Sequence, residues 1–119
     1  MNARTLELPA GIIGDEAAHR GESIEDSAMR ELLEETGYQG ASARILHSGP
    51  TAPGLTSEQL YFVEVTDLKR IHSGGGVDGE DITVHRVGAS SLVGWLRRKA
   101  AEGLMIDQRI YAAMALIKT

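Results

Sequence analysis

Between Glu22 and Tyr38 the chain reads Glu-Ser-Ile-Glu-Asp-Ser-Ala-Met-Arg-Glu-Leu-Leu-Glu-Glu-Thr-Gly-Tyr, and its acidic residues are spaced for chemistry. On a helix, Glu31, Glu34 and Glu35 stand at i, i+3 and i+4 and share one face. Like charges so placed repel one another, and the face is unfavourable unless a cation lies on it. Clustered carboxylate oxygens suit hard divalent ions such as Mg²⁺, which proteins use chiefly to grip substrate phosphates.

With seven residues between Glu22 and Arg30-Glu31-Leu32-Leu33-Glu34-Glu35-Thr36-Gly37-Tyr38, the stretch resembles the Nudix box, and it agrees at every defined position from Glu22 onward. The departure is upstream. The box calls for glycine six residues before Glu22, where this chain has Glu16. The counterpart is Gly11 in Leu8-Pro9-Ala10-Gly11, with ten residues between it and Glu22. That reads as an insertion in the loop ahead of the helix, which loops absorb at modest entropic cost. The resemblance implies that Glu31, Glu34 and Glu35, with the backbone carbonyl of Ala10, hold Mg²⁺ or Mn²⁺. It also implies that Arg30 pairs with Glu22 or Glu31 and fixes its rotamer. The alternative is a solvated, salt-bridged helix face.

Two further segments resemble the Nudix group acting on ADP-ribose and nucleoside diphosphate sugars. Gly74-Gly75-Gly76-Val77-Asp78-Gly79-Glu80-Asp81-Ile82 is similar to its Gly-rich acidic loop, which implies Asp78 or Glu80 as general base, with Asp78 also near substrate. The same run also reads as a solvated turn. As a phosphate cradle it lacks the Gly-Lys-Ser/Thr that would follow. Thr51-Ala52-Pro53-Gly54, with Glu58 beyond it, is similar to that group's Ser/Thr-x-Pro-Gly turn and implies substrate contacts at Pro53 and Glu58. An ordinary turn before a strand is the other reading. His72 and His85 read as surface or packing residues, Trp95, Met105 and Met114 as core, and Arg97-Arg98-Lys99 as a solvated helix face.

These residues need elements to position them. Ser23, with Asp26 three residues on, is an N-cap signature for a helix over 24–36, and Gly37 is placed to end it. Ile24, Ala28 and Leu32, flanked by Met29 and Leu33, form its apolar stripe. Short apolar runs predict strands at 5–9, 43–47, 59–65 and 82–87, with loops at 12–22, 49–54 and 73–79. Ser91 and Asp107 are placed to cap helices over 92–102 and 108–117. Leu92, Trp95 and Leu96 would face inward on the first, and Ile110, Ala113, Met114 and Ile117 on the second.

Strands interleaved with helices indicate an α/β fold. The resemblance sharpens this to a Nudix-like α/β/α sandwich with a mixed sheet, one domain over 1–119. Only nine residues precede Ala10, whereas Nudix domains usually carry further strands there. The expectation is an N-terminally shortened domain, or a homodimer with exchanged strands that covers the bare sheet edge.

Composition excludes several classes. The 119 residues carry a formal net charge of −5 and no basic run, which argues against a nucleic-acid partner. There is no cysteine, hence no disulfide or thiolate chemistry. No apolar run approaches membrane-spanning length, and the N-terminus lacks an apolar signal core, so the default is a cytoplasmic protein without membrane partners. An acidic protein handling phosphates needs metal ions as mediators. The expected function is Mg²⁺-dependent cleavage of a nucleoside diphosphate linked to a sugar, giving a nucleoside monophosphate and a sugar phosphate. The alternative is a truncated, non-catalytic Nudix-fold module that binds a nucleotide or a protein.

Overall fold

The structure, a computed structural model, describes residues 4–10, 21–75 and 81–117. Gly11, Asp78, Glu80 and most of the loop expected at 12–22 lie outside the described residues. The chain is mixed α/β and divides into two compact units, Pro9–Val84 and Met1–Leu8 with His85–Thr119.

The Pro9–Val84 unit is built on helix α1, Ile24–Thr36. Ser23 holds an extended backbone, and its hydroxyl accepts the Asp26 N–H at 3.0 Å, satisfying an amide the helix cannot. Glu25 and Asp26 place negative charge on the positive end of the helix dipole. Gly37 stops the helix at φ 81°, and its N–H returns to the Leu33 carbonyl at 2.9 Å. The apolar stripe Ile24, Ala28 and Leu32 is only half-buried, and the residue with 2 % exposure is Ser27, whose small side chain allows close approach.

After the helix come β2 (Tyr38–Gln39), β3 (Ser42–Pro50), β4 (Gln59–Thr66) and β5 (Lys69–Arg70). β3 and β4 pair antiparallel from Ser42↔Thr66 to Pro50↔Gln59, with a register shift between Ile45 and His47 that leaves Leu46 as the extra residue of a bulge. β2 pairs antiparallel with β5, bringing the chain back to the C-terminal end of α1. Between β4 and β5, Asp67 takes φ 57°, a left-handed conformation that aspartate tolerates better than most residues.

The other unit pairs β1 (Thr5–Leu6) in parallel with β6 (Met105–Ile106). Its helices are α2 (Leu92–Ala101) and α3 (Gln108–Leu116). Leu6, Leu96 and Ile110 are its buried core, packed with Leu92, Trp95, Leu104, Ile106 and Met114. Asp107 caps α3 by accepting the Arg109 N–H at 2.9 Å, and it also meets the Arg109 guanidinium at 2.8 Å.

Several expectations are corrected. The segment expected as loop from Gly49 begins instead as strand, because β3 continues through Pro50, at a strand end where a missing N–H breaks no ladder. Residues 82–87 form no strand: burial alternates at Ile82, Thr83 and Val84, but no ladder partner exists among the described residues. Ser91 makes no side-chain cap. A 3-10 turn at Ala89–Ser91 already places its backbone in the helical region. Met105 is 52 % exposed and not core, since Ile106, its neighbour on β6, points to the opposite side of the strand.

The Asp107 carboxyl is held below its ordinary value, first by the hydrogen bond from the Arg109 side chain. A carboxyl depressed in the folded state adds stability above its unfolded value of roughly 3.9, and that contribution fades as pH falls through the folded value. Asp107→Ala should cost about 1 kcal/mol at neutral pH through loss of the cap. Urea unfolding should show the gap to the parent protein narrowing as the solution is taken from pH 7 towards pH 3. A gap unchanged with pH would contradict a charged cap.

Candidate functional site

Three carboxylates converge on one guanidinium along α1, and a fourth makes a separate contact. Glu22 lies just before the Ser23 cap, so it reaches the helix from outside. Arg30 Nε and Nη2 donate to the Glu22 carboxylate at 3.0 and 3.1 Å in a two-pronged contact. Arg30 Nη1 donates to Glu31 Oε1 at 2.9 Å and, more weakly, to Glu34 Oε2 at 3.5 Å. The planar fork thus serves three carboxylates at once, which an ammonium could not do with the same geometry.

The cluster is partly shielded from water. Side-chain exposure is 15 % for Glu22, 20 % for Arg30 and 18 % for Glu31. Glu34, at 35 %, opens further to solvent. The hydrogen bond to Glu22 is the largest influence on Arg30 and, with the negative charges of Glu22 and Glu31, holds the guanidinium above its ordinary value despite burial.

Glu35 belongs to a different contact. Its Oε1 accepts the Ala10 N–H at 3.2 Å, so the segment before Gly11 touches the last turn of α1 through the backbone of Ala10. The helix end is also gripped by the chain that follows β5. Gly37 O accepts from Ile71 N at 2.7 Å and His72 N at 3.3 Å, and Glu35 O accepts from Gly75 N at 2.8 Å. His72 Nδ1 in turn accepts the Gly74 N–H at 2.9 Å.

Glycine is required where these backbones meet. A Cβ on Gly37 would stand 1.9 Å from His72 O. One on Gly74, at φ 79°, would stand 2.6 Å from Glu35 O and from Thr36 C. This contact is not legible in the residue types alone. Its signal was the glycine run itself, which reads equally as a solvated turn.

Of the residues singled out in the sequence, Arg30, Glu31 and Glu34 are thus brought together with Glu22, and Ala10 is brought to Glu35. Pro53 and Glu58 are exposed in the connection from β3 to β4, where Glu58 bonds locally: its N–H donates to Thr56 Oγ1 at 3.1 Å and its carbonyl accepts from Thr51 at 3.1 Å. Asp78 and Glu80 lie outside the described residues. His85 packs its ring 5.2 Å from that of Trp95, and Lys99 lies over the same indole at 5.7 Å.

The donor set suits a hard divalent ion in type and charge, since Glu22, Glu31, Glu34 and Glu35 all offer carboxylate oxygens. In geometry it is not drawn to a point. Among the described residues no three acidic or histidine side chains are arranged to hold a metal ion. Arg30 takes one oxygen each from Glu31 and Glu34, and each carboxylate has a second. No described helix is long and apolar enough to cross a membrane.

The chain is similar to several curated pyrophosphatases. It is 36 % identical over 120 residues to the ADP-sugar pyrophosphatase of Mus musculus, a match covering 94 % of this chain and 52 % of that protein. It is 34 % identical over 85 residues to the GDP-mannose pyrophosphatase of Enterobacter sp. (strain 638), covering 70 % of this chain and 41 % of that one. It is 43 % identical over 63 residues to the ADP-ribose pyrophosphatase of Saccharomyces cerevisiae, covering 50 % and 24 %. The chain therefore spans about half the length, or less, of these relatives. No family model matches it.

Arg30→Ala should destabilise the protein by about 2 kcal/mol, since it strips charge-assisted hydrogen bonds from shielded carboxylates. Arg30→Lys should recover only part of that loss, because a point charge cannot serve three carboxylates at fixed angles. Denaturant midpoints of the two variants measure this. Full recovery by lysine would show that charge alone, and not the fork, is what the cluster needs.

Proposed function

We propose that this chain carries the catalytic centre of a Nudix-type pyrophosphohydrolase, acting on the pyrophosphate of a nucleoside diphosphate linked to a sugar. The observation that carries the reading is the α1 constellation, in which Arg30 gathers Glu22, Glu31 and Glu34 while Glu35 is held to Ala10. The names of the mouse, Enterobacter and yeast relatives support the substrate class. On this reading both units belong to one Nudix-type α/β/α domain.

Glu31, Glu34 and Glu35, with the Ala10 carbonyl, would hold Mg²⁺ or Mn²⁺. Such an ion, when bound, neutralises phosphoryl charge and makes a water more acidic. Arg30 limits the rotamers of Glu31 and Glu34 and lowers the repulsion between them, so these side chains can turn a second oxygen inward without leaving the cluster. Glu80 or Asp78 would take the proton of the attacking water. The water oxygen forms the new P–O bond, the bridging P–O bond breaks, and a nucleoside monophosphate and a sugar phosphate leave. Pro53 and Glu58 would border the substrate.

One observation favours a second reading. Among the described residues the acidic side chains are not drawn to a point, as a non-catalytic nucleotide- or protein-binding module would allow.

Incubation with Mg²⁺ and a panel of ADP-ribose, ADP-glucose, UDP-glucose and GDP-mannose, followed by chromatography, separates the two. Release of a nucleoside monophosphate is the expected result, with kcat falling roughly 10²–10³-fold in Glu35→Gln and Glu34→Gln. Glu80→Gln should cost about 10²–10⁴-fold if that residue is the base. Turnover that survives Glu35→Gln would remove the metal assignment, and no turnover on any sugar would favour the binding module.

The homodimer with exchanged strands also belongs to this proposal. Among the described residues the β3–β4 ladder has two strands, so each has an edge that proteins usually cover. Light scattering should give twice the 12.8 kDa chain mass; a monomer at micromolar concentration would rule the dimer out.

A further inference from the structure

We propose that Gly74 and Gly75 are positioning residues for Glu35, forming a backbone clasp that holds the end of α1 in register with Ala10. The proposal rests on the metal-dependent reading of α1. Glu35 is tied at both of its ends. Its carboxylate receives the Ala10 N–H at 3.2 Å, and its carbonyl receives the Gly75 N–H at 2.8 Å. Thr36 and Gly37, the next two residues, are covered by the same returning segment.

The clasp is backbone against backbone. A Cβ at Gly74 would meet Glu35 O and Thr36 C at 2.6 Å and Thr36 Cα at 2.8 Å, where ordinary contact begins at 3.4 Å. No flexible side chain stands there to give way. The returning segment would have to lift off the helix end, or the last turn of α1 would have to shift with Glu35. The first frees the Glu35 carbonyl from the Gly75 amide and the second moves Glu35 relative to Ala10, and misplacement of about 1 Å costs about 10²-fold where groups must meet in register.

The left-handed backbone at Gly74 has its own strain on substitution, and Gly103 isolates that contribution. It has φ 100°, yet a Cβ there meets nothing within 4 Å. Gly103→Ala therefore reports the conformational cost alone, and Gly74→Ala adds the steric one.

The test is a Mn²⁺ titration followed by electron paramagnetic resonance, with kcat and KM measured alongside on whichever sugar the parent protein cleaves. Gly74→Ala should bind Mn²⁺ at least tenfold more weakly and lose kcat about tenfold to a hundredfold, with a smaller change in KM. Gly103→Ala should lose stability but keep the parent's Mn²⁺ affinity and kcat. A folded Gly74→Ala with the parent's affinity and kcat overturns the clasp.

Should Gly74→Ala fail to fold, hydrogen exchange at the Gly75 amide of the parent decides. Exchange severalfold slower with Mg²⁺ present supports the coupling of clasp to site, and an unchanged rate overturns it. A parent that binds no Mn²⁺ and turns over nothing is a different failure: it removes the metal-dependent reading, and the clasp's role falls with it.

Discussion

The contact on which the site depends is the fork of Arg30 among Glu22, Glu31 and Glu34. A helix face with glutamates at i, i+3 and i+4 works against its own folding. Each exposed like-charge pair costs about 0.2–0.5 kcal/mol, and partial burial raises the cost by lowering the local dielectric. Arg30 sits one residue from Glu31 and one turn from Glu34, and Glu22 reaches it from before the cap. A single planar cation thus ties the entry of the helix to its acidic face. Among the described residues Arg30 serves Glu22, Glu31 and Glu34, and the Glu35 carboxylate accepts from the Ala10 amide instead.

That arrangement makes the two ends of α1 unequal. The N-terminal end is held by side chains: Ser23 accepts from Asp26, and Glu22 binds Arg30. The C-terminal end is held by main chain: Gly37 and Glu35 carbonyls receive amides from Ile71, His72 and Gly75. Helix ends leave carbonyls without internal partners, and here the strand pair β2–β5 returns the chain to supply them. Main-chain contacts tolerate little adjustment, because neither partner has a rotamer to change. Glu35, outside the fork, has its carbonyl held by main chain and its carboxylate bonded to the Ala10 amide.

Much of this was legible from residue type and spacing, for a physical reason. The limits of α1 followed from Ser23 and Gly37, each of which acts within a few residues of itself. The pairing of Arg30 with Glu22 or Glu31 followed from the box resemblance alone. The core of Leu96, Ile110 and Met114 followed from the same periodicity in α2 and α3. What stayed hidden depends on partners distant in sequence. The two-residue strands at Tyr38–Gln39, Lys69–Arg70 and Met105–Ile106 are too short to show alternation. The Ile82–Val87 run shows alternation but has no ladder partner among the described residues, and a strand exists only by pairing. Ser91 has the side chain of a cap, yet a preceding 3-10 turn removed the extended backbone that a cap needs.

The acidity of the chain bears on how such a site could act. At a net charge of −5, with a carboxylate surplus on α1, the protein repels a pyrophosphate both at long range and at contact. Long-range repulsion is screened beyond about 8 Å at physiological ionic strength, but contact repulsion is not, because the cluster is shielded from solvent. Arg30 cannot reverse the local sign, since its charge is already committed to three carboxylates. On the proposed function the sign must be reversed by cations that arrive with the substrate or before it. The surplus on α1 then has a use: fewer carboxylates would leave the helix more stable, but with too little negative charge to retain such cations. A face that destabilises the isolated helix is what the chemistry would require, and Arg30 offsets enough of its repulsion for the helix to form.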